Sequence, residues 1–196
     1  MIGLVDFGSG NFRSVSLAVR RCGDRAKVVR RERELQKLNA LILPGVGSFE
    51  VLKGQDALVR GIRKFAASGR PVLGICLGMQ ALFERSEECA GVNGLSLIRG
   101  AVKKLNAPRL PQMGWNQLRI IRNSQLLDGI ADGTHFYFAN SYACFPEEDV
   151  VSAACDYDGE FAAVVEKETF FGVQFHPEKS GEAGLRVLKN FVEMCG

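Results

Sequence analysis

Residues 71–80, with the sequence PVLGICLGMQ, constrain the fold of this chain more than any other stretch. The stretch opens as a short apolar run behind a proline, which is typical of a buried strand. Residues 77–84 are helix-forming with no breaker after Gly78, so they predict a helix. Cys76 therefore stands where a strand is expected to turn into a helix.

Glycines stand two residues before and two residues after Cys76, at Gly74 and Gly78. A sharp strand-to-helix turn brings neighbouring side chains into collision, and glycine removes the obstructing Cβ atoms. This is the nucleophile-elbow pattern, with sulfur in place of a serine oxygen. The start of the helix would point free N–H groups at the sulfur and favour the thiolate. A small buried cysteine in a parallel strand fits the same five residues, so the rest of the chain must decide.

The first 84 residues alternate between strand and helix patterns. The predicted strands are residues 1–7, 26–29, 40–43 and 71–76, and the predicted helices are residues 12–22, 49–67 and 77–84. Ser48 can cap the second of these helices. Such alternation predicts an α/β fold with a parallel sheet covered on both faces. Asp6, Gly45 and Cys76 then lie at the C-terminal strand ends, where sites form in such sheets.

The second half of the chain predicts an added region of antiparallel or mixed strands. The expected strands are residues 101–105, 118–121, 136–139, 151–154, 162–165 and 170–175. Asp158-Gly159 and Lys167-Glu168 look like hairpin connections. An amphipathic helix is expected over residues 181–194. Without a linker or a repeat in the sequence, residues 1–196 are predicted to form one domain.

Composition excludes several kinds of function. The net charge of +3 is too small to indicate a polyanionic partner such as nucleic acid. The six cysteines form no C-x-x-C pair, and with two histidines they give no metal-ligand spacing, so no metal is expected. The turn Gly8-x-Gly10 lacks the third glycine of a dinucleotide site, since position 13 is arginine. With no signal-peptide pattern and no long apolar run, a cytoplasmic protein with reduced cysteines is expected.

A second informative stretch is GVQFHPE, residues 172–178. The predicted strand delivers His176 at its end, and Glu178 follows beyond a proline that stiffens the connection. A cysteine nucleophile needs a base to move its proton, and the base needs a third group to orient it. His176 and Glu178 have the right side chains for these two roles. The alternative for His176 is a surface turn, because a strand-end histidine followed by Pro-Glu is also common there. The other histidine, His135, is predicted to be the first residue of a strand.

These two stretches together resemble the class I (triad) glutamine amidotransferases. Further motifs resemble those of one branch, the glutaminase subunits of imidazole glycerol phosphate synthase in histidine biosynthesis. The motifs that carry this resemblance are residues 6–11, 43–49, 74–80, 111–116, 136–142 and 174–180. They run in order along essentially the whole chain. The resemblance implies the flavodoxin-like fold of that family and no cofactor.

The resemblance also implies a chemistry. Cys76 would attack the side-chain amide of glutamine, and His176, oriented by Glu178, would protonate the departing ammonia and then activate water. Backbone N–H groups would hold the oxyanion, and the candidates are Leu77 and the loop Gly45, Val46 and Gly47. The resemblance implies that this loop does not present its N–H group to the oxyanion until the partner binds its substrate. Glutaminase activity would then be conditional on the partner. The residues expected to hold the substrate glutamine are Gln80, Glu88, Ser141 and Tyr142.

In the family, the ammonia passes to a separate (β/α)₈-barrel cyclase. This subunit converts a phosphoribulosyl-formimino-carboxamide ribonucleotide (PRFAR) to imidazole glycerol phosphate and an aminoimidazole carboxamide ribonucleotide (AICAR). A chain of 196 residues is too short to contain that barrel of about 250 residues, so a heterodimer is expected. The candidate interface residues are Asn11, Trp115, Tyr137 and Lys179, and core packing is an equal alternative for Trp115 and Tyr137.

Two positions depart from the family pattern, because many members have histidine where Gln112 and Asn140 stand. Neither position belongs to the triad. Cys144 is an additional thiol without an assigned role. The alternatives left open are a glutaminase subunit of pyridoxal phosphate synthase or of a sugar-modifying amidotransferase, a stand-alone γ-glutamyl thiol hydrolase, and a subunit that keeps the fold without activity. The segment 113–116, MGWN, favours the histidine pathway over the other synthases.

Overall fold

The computed structural model describes residues 1–195. The strands are β1 (Ile2–Val5), β2 (Ala26–Val29), β3 (Ala40–Gly45), β4 (Val72–Cys76), β5 (Arg85–Ser86), β6 (Gly100–Lys104), β7 (Gln112–Gln117), β8 (Arg119–Ile120), β9 (His135–Asn140), β10 (Tyr142–Pro146), β11 (Val151–Asp156), β12 (Glu160–Lys167) and β13 (Phe170–Val173). The α-helices are α1 (Phe12–Arg21), α2 (Asp56–Ala67), α3 (Leu77–Ala81) and α4 (Gly181–Met194). Short 3₁₀ helices cover Glu32–Glu34, Phe49–Leu52 and Pro177–Lys179.

One large sheet combines a parallel half with an antiparallel half. Its strands follow the order β2-β1-β3-β4-β13-β12-β10-β6-β5, and β11 and β8 extend it beside β12. The strands from β2 to β13 run parallel, whereas β12 and β10 pair antiparallel with their neighbours. A separate antiparallel ribbon joins β7 to β9. The predicted α/β sheet with added antiparallel strands is confirmed.

Helices cover both faces of the parallel half because each presents an apolar stripe with helical spacing. On one face α1 buries Val15, Ala18 and Val19, and α4 buries Val187, Leu188 and Phe191. On the other face α2 buries an equivalent stripe formed by Leu58, Ile62 and Phe65. Burying each large side chain stabilises the fold by about 1.5–3 kcal/mol. The parallel strands β1, β3, β4 and β13 are buried on both sides for the same reason.

The predicted helix over residues 49–67 is wrong as a single element. The structure has a 3₁₀ helix at Phe49–Leu52, and α2 begins only at Asp56. Gly54, between them, has a φ of 75°, a left-handed conformation that ends a helix. Ser48 does cap the first piece, because its Oγ accepts the N–H of Glu50 at 3.3 Å.

Several elements of the second half differ from the sequence prediction. The strand predicted at 118–121 reduces to Arg119–Ile120, and the pattern missed the strands β7 and β10. Along β7, buried or half-buried residues alternate with exposed ones, but the buried position is polar, at Gln112. The buried side of the strand therefore has no pattern of apolar residues that would predict it. Both hairpins are confirmed, with positive φ at Asp158, Gly159 and Glu168.

The parallel strands place their C-terminal ends along one rim of the sheet. β3 ends at Gly45 and β4 ends at Cys76, and these two residues are register partners. β13 lies on the other side of β4 and leads through Gln174 and Phe175 to His176. Within residues 1–195 the structure contains no helix long and apolar enough to cross a membrane.

Candidate active site

Cys76 occupies a strained turn between β4 and α3. Its φ of 53° and ψ of −108° lie outside the regions that L-residues favour. The two flanking glycines make the turn possible because each lies directly against backbone. A Cβ on Gly78 would overlap the carbonyl oxygen of Leu43, and a Cβ on Gly74 would lie about 2.5 Å from the Met79 nitrogen. The sequence argument for glycine at these positions therefore has a geometric basis.

The structure brings together the three side chains proposed as a triad. Nδ1 of His176 lies 3.0 Å from Oε1 of Glu178, and His176 lines the same cavity as Cys76, whose interaction with the imidazole raises the pKa of His176. The exposed fractions of the His176 and Glu178 side chains are 3% and 1%. A thiol, an imidazole and a carboxylate thus lie together, shielded from water.

The electrostatics of this cluster favour an ion pair. Burial alone lowers the pKa of His176, but hydrogen bonds and charge attraction from Cys76 and Glu178 overcome it and raise that pKa to about 10. Burial raises the pKa of Glu178, but its hydrogen bond to His176 and the charge of the imidazolium bring it below its ordinary value. The imidazole is therefore held in its protonated form beside the Glu178 carboxylate.

Further contacts fix the histidine and the carboxylate. Asn11 donates from Nδ2 to Oε1 of Glu178 at 3.3 Å. Oε2 of Glu178 is buried and has no hydrogen-bond partner among residues 1–195. Ser180 donates from Oγ to the carbonyl of His176 at 2.7 Å and accepts the N–H of Tyr137 at 3.0 Å. These bonds hold the segment that follows the histidine against β9.

A cavity of about 290 Å³ opens onto Cys76 and His176. Its walls combine side chains from the elbow, from the loop after β3 and from the ends of β9 and β10. The other residues that line it are Val46, Gly47, Leu77, Gln80, Glu88, Pro111, Ala139, Asn140, Ser141, Tyr142 and Lys179. Within residues 1–195, no three histidine, cysteine or acidic side chains are grouped to hold a metal ion.

The candidates for binding the oxyanion separate into two groups. Leu77, Val46 and Gly47 line the cavity, but Gly45 does not. Gly45 instead lies within β3, where a Cβ would be 2.8 Å from Cβ of Leu77, so it serves the packing of the elbow. The carbonyl of Val46 accepts a hydrogen bond from Oγ of Ser9 at 2.8 Å, which fixes the orientation of the loop in this structure.

The candidates for binding the substrate all line the cavity, but two of them are already engaged. Gln80 donates from Nε2 to the carbonyl of Tyr142 at 2.9 Å. Oε2 of Glu88 accepts the N–H of Phe49 at 2.7 Å, which ties the carboxylate to the loop after β3. Ser141 and Tyr142 contribute the junction between β9 and β10.

No role was predicted for Gln174, although it lies in the motif of residues 174–180. The structure places its Nε2 3.6 Å from Sγ of Cys76. Gln174 stands two residues before His176, and residues at this spacing in an extended segment point to the same side. This two-residue spacing, and the presence of a polar residue in an otherwise apolar run, are the sequence features that could have predicted that Gln174 lies beside the site.

The four residues proposed for the partner interface have different surroundings. Trp115 is 57% exposed, so the core-packing alternative is wrong for it. Tyr137 is half-buried and contacts Trp115 edge-on, with ring centroids 6.3 Å apart. Nζ of Lys179 lies 5.6 Å from the Tyr137 ring. Asn11 is engaged with Glu178 in the site.

The three positions without an assigned role are all buried. Gln112 and Asn140 are register partners across β7 and β9, so the two departures from the family pattern form one cross-strand pair. Their side-chain oxygens are buried without hydrogen-bond partners among residues 1–195. Cys144 is fully buried, and burial raises the pKa of its thiol well above the ordinary value.

Known proteins resemble this chain over its full length. The family model described as glutamine amidotransferase class-I matches residues 3–195. The imidazole glycerol phosphate synthase subunit HisH of Methanothermobacter thermautotrophicus is 46% identical, covering 99% of this chain and 98% of the relative. The subunit of the same name from Moorella thermoacetica is 47% identical, covering 98% and 94%.

Solved structures agree on the fold. A structure described as a glutamine amidotransferase superposes with a TM-score of 0.80 at 23% identity, covering 100% of this chain and 98% of the other. PurLQS from Thermotoga maritima gives a TM-score of 0.80 at 21% identity with the same coverage. The chain belongs to the class-I glutamine amidotransferase family, in the branch of the HisH subunits of imidazole glycerol phosphate synthase.

Proposed function

We propose that this chain is the glutaminase subunit of imidazole glycerol phosphate synthase and that Cys76, His176 and Glu178 are its catalytic triad. The observation that carries the proposal is the buried arrangement of His176 between the sulfur and the carboxylate, at the end of a small cavity. The full-length similarity to HisH subunits supports the choice of synthase.

The first half of the proposed reaction forms a thioester. The Cys76 thiolate attacks the side-chain amide carbon of glutamine and a tetrahedral oxyanion results. As this intermediate collapses, the C–N bond breaks and His176 gives its proton to the leaving nitrogen, which departs as ammonia. Glu178 stabilises the imidazolium before the transfer and holds the tautomer that remains afterwards.

The second half hydrolyses the thioester. Neutral His176 takes a proton from a water molecule, which attacks the thioester carbon, and glutamate leaves as the thiolate is regenerated. The two halves consume one water and release one ammonia for each glutamine. The N–H groups of Leu77 and of the Val46–Gly47 loop are the proposed donors to the oxyanion in both halves.

The proposed partner is a separate (β/α)₈-barrel cyclase that receives the ammonia and converts PRFAR to imidazole glycerol phosphate and AICAR. Three observations support a docking surface beside the cavity: Trp115 and Met113 are 57% and 68% exposed, Tyr137 contacts Trp115, and Lys179 reaches both Tyr137 and the cavity. Exposed aromatic side chains of this kind are typical anchors of interfaces.

The test is to mix the chain with a candidate cyclase and to measure glutamate release with and without PRFAR. Release should be negligible for the chain alone and should rise in the complex with the nucleotide. Glutaminase activity that is high without the partner would favour the stand-alone thiol hydrolase instead. Absence of a complex in sedimentation would contradict the partner assignment.

A variant separates the nucleophile from the partner. Cys76→Ala should abolish glutamine-dependent turnover in the complex and leave cyclisation with added ammonia intact, because the barrel performs that step. Cys89→Ala, which removes a half-buried thiol, is the matched control and should retain glutaminase activity. Glutaminase activity retained by Cys76→Ala would contradict the nucleophile assignment.

A further inference from the structure

The sulfur of Cys76 has a hydrogen-bond donor that the proposed triad does not include. Nε2 of Gln174 lies 3.6 Å from Sγ, within the range of N–H···S hydrogen bonds. Gln174 is fully buried and reaches the sulfur from the end of β13, the same segment that delivers His176. The donor therefore occupies a fixed position on a rigid part of the sheet.

The orientation of the Gln174 amide follows from a chain of contacts that begins at a backbone carbonyl. The carbonyl of Tyr142 can only accept, so Gln80 must turn its NH₂ group towards it, at 2.9 Å. The same nitrogen lies 3.3 Å from Oε1 of Gln174. Gln174 must then present its oxygen to Gln80 and its NH₂ group to the sulfur.

Several titratable groups surround the same sulfur. His176 lines the same cavity and interacts with Cys76, and Glu178 acts through its hydrogen bond to His176. The Cys144 thiol is influenced by the charge of Cys76, and burial together with that charge raises its pKa well above the ordinary value, so it stays neutral. The other titratable side chains that line the cavity are Glu88, Tyr142 and Lys179.

We propose that Gln174 is a further catalytic residue, whose amide donates a hydrogen bond to the Cys76 thiolate. The role deepens the proposed glutaminase mechanism and rests on it. An amide neither gains nor loses a proton at neutral pH, so this donor stabilises the thiolate whenever the thiolate is present and leaves the proton of His176 free for the leaving group. The thiolate exists before the attack and again when the thioester is hydrolysed, and Gln174 acts at these two stages.

The test follows alkylation of Cys76 by iodoacetamide in the isolated chain from pH 5 to pH 10, with the modified peptide quantified by mass spectrometry. Gln174→Met keeps the length of the side chain and removes the donor. The half-maximal pH of alkylation should rise by about one unit, which is about a tenfold loss of reactivity below that pH. Gln80→Met frees the Gln174 amide to turn and should shift the curve in the same direction by less.

Asn190→Leu is the matched control, because it removes a buried amide that donates to two backbone carbonyls far from the cavity. It should leave the alkylation curve of Cys76 unchanged. The proposal is overturned if neither glutamine variant moves the curve, or if Asn190→Leu moves it as far as they do. Should Gln174→Met not fold, as judged by circular dichroism, an unchanged curve for Gln80→Met is sufficient to overturn it. No glutamine enters this assay, so its outcome is independent of whether the chain is a glutaminase.

Discussion

Replacing Gly78 with alanine should destabilise the protein more than any exposed substitution could. The added Cβ would overlap the carbonyl oxygen of Leu43 and lie 2.6 Å from its carbonyl carbon. Ordinary van der Waals contact begins at 3.4 Å. Because the oxygen is the closer of the two atoms, α3 and β3 would have to separate by well over an ångström. Both are backbone, and β3 is held between β1 and β4, so no flexible side-chain end can relieve the collision.

The magnitude follows from the cost of overpacking. Inserting a methyl group into a packed interior typically costs about 1–3 kcal/mol, and an immovable backbone places Gly78→Ala at about 3 kcal/mol or more. With a urea dependence of about 2 kcal/mol per molar for a domain of this size, the unfolding midpoint should fall by about 1.5 M. The elbow would also move, so alkylation of Cys76 in the folded variant should change.

Gly61→Ala is the matched control. A Cβ at Gly61 would meet only side-chain atoms, at 2.7 Å from Cγ of Glu32 and 3.0 Å from Cδ1 of Leu35. Alanine also gains about 0.5–1 kcal/mol over glycine inside a helix such as α2, so the free energy of unfolding should change by less than about 1 kcal/mol. If Gly78→Ala lowers the urea midpoint no more than Gly61→Ala does, the packing argument for the elbow is refuted.

Two further predictions concern the charge of the triad and the exposed face. The pKa of His176 is raised to about 10 from 6.5, so its contribution to stability is fully present below pH 6.5 and is lost as the pH rises through 10. Glu178→Gln removes one cause of that shift. Between pH 6.5 and pH 10 the variant should therefore lose less stability than the wild type, by about 1 kcal/mol or more, as measured from the urea midpoints at the two pH values. Equal losses would contradict the ion pair. Trp115→Ala should weaken binding to the cyclase about tenfold or more in titration calorimetry, with little change in thermal stability. Leu17→Ala, at an exposed position on α1, is the control and should bind with unchanged affinity. Equal affinities for the two variants would remove Trp115 from the interface.

The sequence was most informative where backbone geometry demands a particular residue type. Gly74 and Gly78 are such positions, because a Cβ at either would strike backbone atoms, and the elbow could be recognised from them. The strands β1, β3 and β4 of the parallel half were equally clear, since each is a continuous run in which every position is buried. The hairpin at Asp158-Gly159 was recognisable because its residues tolerate positive φ.

The features that were missed depend on contacts between segments distant in the chain. The strand β7 has its apolar residues, Met113 and Trp115, on the exposed side, so no apolar pattern marks its buried side, and it pairs in register with β9. The break before α2 depends on one glycine whose conformation no local pattern specified. Likewise, Asn11 was expected at an interface, but its amide reaches Glu178 across 167 residues. The spacing of residues along the sequence does not predict such contacts.

The position of Lys179 connects the chemistry with the exposed face. This side chain lines the cavity that holds Cys76, and it also lies over the ring of Tyr137. Tyr137 in turn contacts the exposed Trp115, and its carbonyl accepts the N–H of His176 at 2.9 Å. A partner that covers Trp115 would therefore contact a residue neighbouring Tyr137, whose carbonyl is bonded to His176. If the cyclase docks at this face, it lies beside residues that contact His176, and these contacts give the partner a physical means of acting on the proposed glutaminase site.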